Sequence, residues 1–150
     1  MDSSNAATIP FEGVTPILRV RNLQDSLDYY VSVLGFELDW QNRGIMASVS
    51  RDRCSIFLCE GDQGNSGAWV WIGVGNIELL FEAYRRRGAK IRHPPTNYAW
   101  AYEMQVEDPD GNVLRFGSEP KRDEPFGEWL DMNGRRWLKT PDGEWTQVEI

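Results

Sequence analysis

The sequence predicts an α+β fold of two tandem βαβββ units, whose strands form a curved mixed sheet with a concave cleft, plus a C-terminal hairpin extension. The first observation is a repeated strand-to-helix junction, Val20-Arg21-Asn22-Leu23 and Val74-Gly75-Asn76-Ile77. The second is that three strand-like runs follow each helix. The third is a charged, proline-bearing segment at residues 119–125, which reads as a linker. We therefore expect a domain at 1–118, with repeats at about 14–60 and 67–117, and a Trp-rich extension at 119–150.

Each repeat is predicted to begin with a short strand, at residues 15–20 and 68–74, followed by a helix. Asn22 and Asn76 stand at the N-cap positions, where a side-chain oxygen accepts from the first turn. Gly35 and Gly88 follow the last apolar residues and predict the helix ends. The apolar stripes at helical spacing are Leu23, Leu27, Tyr30, Val31 and Leu34 in the first helix, and Ile77, Leu80, Phe81 and Tyr84 in the second.

Three further strands are predicted in each repeat, at 36–41, 45–50 and 55–60 and then at 90–93, 102–107 and 112–117. Residues 108–111 (DPDG) form a tight-turn sequence between the last two strands, and residues 51–53 (RDR) occupy the matching place in the first repeat. In the extension, runs at 135–138 and 144–150 flank a Pro-Asp-Gly turn. We expect this hairpin, with Trp137 and Trp145, to cover sheet or helix surface; a direct functional role is the alternative.

Composition limits the classes of function. With 150 residues the chain suits one core and excludes two large domains. It shows neither a basic start with an apolar run nor an apolar span, which predicts a cytoplasmic protein without a membrane partner. A net charge of −7 disfavours nucleic acid and favours a cationic ligand, although acidity also serves solubility. Cys54 and Cys59 are too far apart along one strand to bridge, which fits a reducing compartment.

Strand alternation assigns faces to the first strand of each repeat. Pro16, Leu18 and Val20 match Val70, Ile72 and Val74, and these are expected under the helices. Thr15, Ile17 and Arg19 match Trp69, Trp71 and Gly73, and these are expected to line the concave side. The same register places Leu58 opposite Arg115 and turns Arg115 and Glu60 toward the concavity. Because a buried charge needs a partner, Arg115 either pairs with Glu60 or Glu103 or contacts a ligand.

Three short motifs carry a family resemblance. They are Asn-Leu-x-x-Ser after the first strand, Leu-Gly-Phe after the first helix and Glu-Asp-Pro-Asp-Gly-Asn before the last strand. Over roughly Val14 to Gly117 the chain resembles the glyoxalase, dioxygenase and bleomycin resistance superfamily, the vicinal-oxygen-chelate fold. Within it, residues 68–71 (AWVW), residues 34–36 (LGF) and Trp100, eight residues before Asp108, are similar to the bleomycin resistance proteins.

The resemblance also bears on metal chemistry, because the enzymes of this superfamily hold a divalent metal through His, Glu or Gln at symmetric strand positions. Those positions map here to Thr15, Leu58, Trp69 and Arg115, which make no credible ligand set. His93 is the only histidine, and we expect a loop or structural role for it. We expect a buried structural thiol at Cys59. The expectation is therefore no metal, no cofactor and no catalytic residue.

Bleomycin resistance proteins are dimers that sequester the drug in clefts at the subunit interface, stacking its aromatic tail and accepting its cationic end on acidic surface. The resemblance thus implies a cytoplasmic homodimer that binds a cationic aromatic small molecule, such as a bleomycin-type antibiotic, and so confers antibiotic resistance. Trp40 and Trp100 fall where the stacking pair belongs, and Ile45 replaces a further aromatic wall. The expected ligand-binding residues are Trp40, Ile45, Leu58, Glu60, Trp69, Trp71, Trp100 and Arg115.

Three alternatives remain open. One is a lyase, isomerase or dioxygenase of the same superfamily with an unusual metal site built from Glu60, Glu103 and Cys59. Another is a binding protein for a different antibiotic or metabolite, since an acidic, aromatic cleft suits many ligands. The last is a structural or protein-binding module that uses the Trp-rich tail, for which the cleft would be filled by the protein itself.

Overall fold

The computed structural model describes residues 8–124, 126–127, 129–130, 135–140 and 144–148. The first repeat contains β1 (Ile17–Arg19), α1 (Leu23–Asp28), a π-helical turn (Tyr29–Val33), β2 (Glu37–Asn42), β3 (Met46–Arg51) and β4 (Cys54–Cys59). The second contains β5 (Trp69–Gly73), α2 (Ile77–Arg86), β6 (Lys90–Asn97), β7 (Tyr102–Glu107) and β8 (Val113–Ser118). The tail contains β9 (Trp129–Leu130), β10 (Arg136–Lys139) and β11 (Trp145–Val148). The predicted Pro-Asp-Gly turn at 141–143 lies outside the described residues.

The predicted fold class is confirmed. Each repeat forms a four-stranded mixed sheet, in the order β1-β4-β3-β2 for the first and β5-β8-β7-β6 for the second. In both sheets the first and last strands of the repeat pair in parallel, and the other pairs are antiparallel. The tail forms a separate antiparallel sheet in the order β11-β10-β9, of which β10 and β11 were predicted and β9 was not.

Both helices begin and end as the repeated junction predicts. The Oδ1 atom of Asn22 accepts from the Asp25 amide at 3.0 Å, and that of Asn76 accepts from the Leu79 amide at 3.0 Å. Each cap therefore satisfies an amide that a helix start leaves without a partner. Gly35 follows the π-helical turn with φ of 78°, a left-handed conformation that favours glycine.

The two repeats share one core, because their helix-facing side chains belong to a single buried cluster that includes Leu18 and Ile56 as well as Met104 and Leu114. Hydrogen bonds cross between the repeats in both directions. Tyr30 donates to Oδ2 of Asp108 at 3.0 Å, and Tyr84 donates to the Leu34 carbonyl at 2.7 Å. The helices thus pack on the inner faces of both sheets, which leaves the opposite face of each sheet as a separate surface.

The strand β6 differs from its prediction, since it runs on to Asn97 instead of ending at His93. Pro94 and Pro95 lie inside it, where the pairing with β7 is irregular. The prolines are tolerated because β6 is an edge strand, so their missing amides break no ladder on the far side. His93 therefore lies within a strand, not in a loop. Within the described ranges, the helices are too short or too polar to cross a membrane.

Candidate ligand-binding surface

The outer face of the second sheet carries the side chains expected at the cleft. Trp69 and Trp71 are 41% and 53% exposed, whereas Ile72 beside them is 7% exposed and faces the core. Trp71 pairs in register with Arg115 on β8, and Arg115 pairs with Gln105 on β7. We call the surface formed by Trp69, Trp71, Arg115, Gln105 and Glu103 the indole face. The predicted assignment of faces in β5 is therefore confirmed.

Trp71 lies flat across two glycines. A Cβ built on Gly117 would lie 2.5 Å from Cζ2 of the indole, and one on Gly73 would lie 3.3 Å from its Cζ3. Any side chain at Gly117 would displace the ring, because the contact is far inside van der Waals distance. The register pair Gly73 and Gly117 therefore fixes the position of the Trp71 ring.

A buried carboxylate holds the indole face together. Glu103 is 3% exposed, and its Oε1 accepts from Nε1 of Trp71 at 2.5 Å. Nη2 of Arg115 donates to both carboxylate oxygens, at 3.1 and 2.7 Å. Between the two partners left open by the sequence, Arg115 thus pairs with Glu103. Removing Arg115 would leave the buried Glu103 carboxylate without its charged partner, whereas the guanidinium itself is 31% exposed. Through Glu103, the network orients the Trp71 ring and the guanidinium together.

The indole face contains one cation, Arg115, and is bordered by a second, Arg92. Nε of Arg115 is buried and makes no hydrogen bond with the described residues. On β6 the Arg92 guanidinium lies 4.9 Å from the centroid of the Trp69 ring and also bonds the side chain of Gln105. One face of Trp69 is therefore covered by a cation, whereas the Trp71 ring stays open to solvent.

Trp71 and Trp100 line one cavity of about 320 Å³, together with the exposed Glu119. Trp100 lies on the loop before β7, where its ring stacks on Tyr98 with centroids 4.8 Å apart and planes 3° apart. Trp145 of the tail packs on it at 5.4 Å. The structure thus brings together two of the predicted indoles and adds a carboxylate that sequence reasoning did not single out.

The outer face of the first sheet is different in character. Trp40 contacts the Phe57 ring edge-on at 5.3 Å, and it has no ring contact with Trp100. Trp40 lies on the first sheet and Trp100 on the loop before β7 of the second repeat, and the role of the two rings as a stacking pair around a ligand stays a prediction. Asp39, at the irregularity in β2, accepts from the hydroxyls of Ser48 at 2.9 Å and Ser50 at 2.6 Å. Ile45 lies in the turn after β2 and is 50% exposed.

The predicted orientation of Leu58 is wrong. Leu58 is fully buried and pairs with Leu18 on the helix side of the sheet. The reason is hairpin length: Val49 pairs with Ile56 but Val106 pairs with Leu114, so the second hairpin is one residue longer. A shift of one residue turns a side chain to the opposite face. Phe57, not Leu58, is the counterpart of Arg115.

The predicted orientation of Glu60 is wrong for the same reason. Its Oε2 accepts from the Leu23 amide at 2.8 Å, so the carboxylate binds the start of α1. An anion at a helix N-terminus satisfies an amide and complements the helix dipole. Glu60 therefore stabilises α1 and does not belong to the indole face.

A divalent metal does not fit the strand positions that hold it in the enzymes of the resembled superfamily. With the corrected register, those positions carry Thr15, Phe57, Trp69 and Arg115. The Thr15 hydroxyl already bonds Ser55 at 3.0 Å, and Arg115 brings a positive charge of its own. Among the described residues, no group of three or more His, Cys, Asp or Glu side chains has a geometry that could hold a metal.

Sequence reasoning missed three residues of this surface, namely Gly117, Gln105 and Glu119. Gly117 lies beside Gly73 because β5 and β8 pair in parallel, and that pairing was not predicted from the sequence. Gln105 follows from the same register, since it lies opposite Arg115. Glu119 carried no signal, because it falls where the linker was predicted to begin.

A sequence profile described as the Glyoxalase/Bleomycin resistance protein/Dioxygenase superfamily matches residues 13–116. Comparison with curated protein sequences finds no match. The structure is similar to a bleomycin-binding protein from bleomycin-producing Streptomyces verticillus, solved with copper(II)-bleomycin, with a TM-score of 0.63 and 24% identity. That alignment covers 75% of this chain and 99% of the other.

Two other solved structures are similar. TioX from Micromonospora sp. ML1 has a TM-score of 0.64 and 18% identity, with 73% of this chain and 99% of TioX covered. A glyoxalase/bleomycin resistance protein/dioxygenase from Nocardioides has a TM-score of 0.61 and 20% identity, with 83% and 94% covered. At these identities the likeness concerns the fold.

Proposed function

The chain belongs to the glyoxalase/bleomycin resistance protein/dioxygenase superfamily, and from this membership we propose that it binds a flat, cationic aromatic drug or metabolite without using a metal. The observation that carries the proposal is the cavity between Trp71 and Trp100, which has Glu119 at its side. The exposed face of Trp71, the Trp100 ring beside it and a carboxylate are groups that suit a flat cation.

The ligand would stack on the rings and not bond their edges. Nε1 of Trp71 already donates its hydrogen bond to Glu103, so the part of this indole that a ligand can contact is the ring face. Each contact of a ring or a cation with an indole contributes about 0.5–2 kcal/mol, so two such contacts supply about 1–4 kcal/mol. A micromolar complex needs about 8 kcal/mol, and the rest must come from the apolar surface that the ligand buries. The net charge of −7 draws a cation toward the protein.

A homodimer is part of the proposal. The outer face of the first sheet exposes Ile17 at 37%, Trp40 at 46% and Ile45 at 50%, a set of apolar side chains that a second copy would cover. In such a dimer, Trp40 of one copy would take its predicted place opposite Trp100 of the other. We also propose the division into a domain at 1–118 and an extension at 119–150, with Trp145 of the extension packed on Trp100.

Bleomycin is the first ligand to test, because a bleomycin-binding protein shares the fold. We expect bleomycin to raise the melting temperature by mass action and to change the tryptophan fluorescence, with and without added divalent metal. Trp100→Ala should weaken binding about tenfold, the loss of one stacking contact. The measurement is a fluorescence titration checked by calorimetry.

Phe11→Ala is the matched control, because Phe11 is an aromatic residue that is 98% exposed and lies outside the cavity. This variant should bind as the unaltered protein does. Equal affinities in Trp100→Ala and Phe11→Ala would remove Trp100 from the site. If bleomycin fails to bind, a panel of flat aromatic cations tests the broader proposal, and failure of the whole panel would contradict it.

A further inference from the structure

A second groove lies where the turn between β3 and β4 meets α2, on the helix side of the sheets. We call it the seam groove, because the first repeat provides Phe36, Arg51 and Arg53 and the second provides Ile72, Leu80 and Arg87. Its volume is about 570 Å³, which is in the range of small-molecule sites. The cavity between Trp71 and Trp100 meets the seam groove after β5, where Gly73, Val74 and Gly75 line both, but it shares none of these six residues.

Two guanidinium groups converge at this seam. A methyl group placed on Gly35 would lie 3.1 Å from Nη1 of Arg87 and 3.2 Å from Nη1 of Arg51. The two nitrogens are therefore no farther apart than the sum of those distances. Arg51 is held there by donating to the Leu34 carbonyl at 3.3 Å. Gly35 makes the approach possible, because any side chain at this position would push both cations away.

No acidic group of the described residues neutralises this pair. Within them, none of the ion pairs involves Arg51, Arg53 or Arg87. Of the described residues that line the groove, Asp52 is the one carboxylate, and it forms no ion pair with any other described residue. The chain has a net charge of −7, but three arginines line this groove, so the local charge there is positive. Convergent like charges raise the energy of the free protein, and an anion between them would lower it.

The rest of the groove is apolar. Phe36, Ile72 and Phe116 are buried residues that form its floor, and Leu80 and Ala83 of α2 form a wall. We infer that the seam groove binds a small organic anion, with its carboxylate or phosphate held between Arg51 and Arg87 and its apolar body against α2. Arginine suits this role, because its planar fork matches the oxygens of both groups. Such a ligand would bridge the two repeats.

The test uses phenyl phosphate and benzoate as probes, with benzyl alcohol as the neutral control, in isothermal titration calorimetry at low salt. We expect at least one anion to bind and benzyl alcohol to bind far more weakly. Inorganic phosphate should bind more weakly than phenyl phosphate, since it lacks the apolar body. The preference between phenyl phosphate and benzoate identifies the head group. Amide chemical shifts of Gly35 and Arg87 should move on titration.

Arg51→Gln and Arg87→Gln should each lower the affinity about tenfold or more, because each removes a charged hydrogen-bond donor. Arg85→Gln is the matched control on α2, since Arg85 pairs with Glu82 and lies outside the groove. Its affinity should be unchanged. Because Arg51 and Arg87 are exposed, the two glutamine variants should fold. Ala83→Phe is an independent test, since the larger side chain would fill the groove and should weaken anion binding. The inference is overturned if neither anion binds or if both arginine variants bind as tightly as the control.

Discussion

The two repeats have the same inner face and different outer faces. Inside, both use an asparagine cap, a buried strand and a tyrosine that reaches across to the other repeat. Outside, the first sheet carries Phe57 where the second carries Arg115. The shared features are those that burial requires, whereas the differences lie on the surface that a ligand would meet. Residues of the core and residues of the candidate site therefore alternate along the same strands.

The largest difference in stability between variants of the two repeats is expected at the turns that join β7 to β8 and β3 to β4. Asp108 is 2% exposed and accepts four hydrogen bonds, from the amides of Asp110 and Asn112, from Nδ2 of Asn112 and from Tyr30. Asp108→Ala leaves these donors without a partner, so the free energy of unfolding in urea should fall by about 3 kcal/mol.

Asp52, in the shorter hairpin of the first repeat, is the matched control. It is exposed, with φ of 52°, so Asp52→Ala should cost less than about 1–2 kcal/mol, the penalty of a left-handed alanine. Equal losses for the two variants would contradict the view that only the second hairpin joins the repeats through a buried carboxylate.

Gly117, which lies against the Trp71 ring, provides a test of the outer face of the second sheet. Gly117→Ala should turn the Trp71 indole, because the new methyl group would lie 2.5 Å from the ring. We expect cationic aromatic ligands to bind about tenfold more weakly, the loss of one stacking contact. In the first repeat Gly61→Ala is the control, since its nearest neighbour would be an ordinary 3.6 Å away. Unchanged binding in Gly117→Ala would mean that the ring position is not used.

The smallest effect on stability is expected for the tyrosine contacts between the repeats. Burial raises the pKa of Tyr84 to about 12 from its usual 10.0. Because the folded state holds this proton more tightly than the unfolded chain, its contribution is complete below pH 10 and is lost between pH 10 and about 12. Tyr84→Phe should cost about 1 kcal/mol at neutral pH and flatten the loss of stability above pH 10. Identical alkaline denaturation curves for the two proteins would contradict this assignment.

Local rules sufficed for most of the fold. The caps at Asn22 and Asn76 and the alternation in β5 follow from residues near in sequence, and the structure agrees with them. The prediction for Leu58 and Glu60 was wrong because it needed the lengths of two hairpins to match, and one extra residue reversed both side chains. Face assignments carried across a turn are thus less secure than those within a strand.

The candidate site was predictable only in part. Trp69, Trp71 and Arg115 follow from strand alternation, and the structure places them on one face. The cavity with Trp100 and Glu119 depends on how a loop and a chain segment after β8 approach the sheet. The convergence of Arg51 and Arg87 over Gly35 depends on the contact between the repeats. Contacts between residues that are far apart in the sequence leave no periodic pattern in it.

The shared interior has a consequence for each repeat alone. Asn112 of the second repeat donates to the Arg19 carbonyl of the first at 3.1 Å, and Tyr29 of the first donates to the Glu107 carbonyl at 2.6 Å. A half-length fragment would expose one side of its helix and lose all of these bonds. Pairing with a second copy is the arrangement that would restore an equivalent interior to such a fragment.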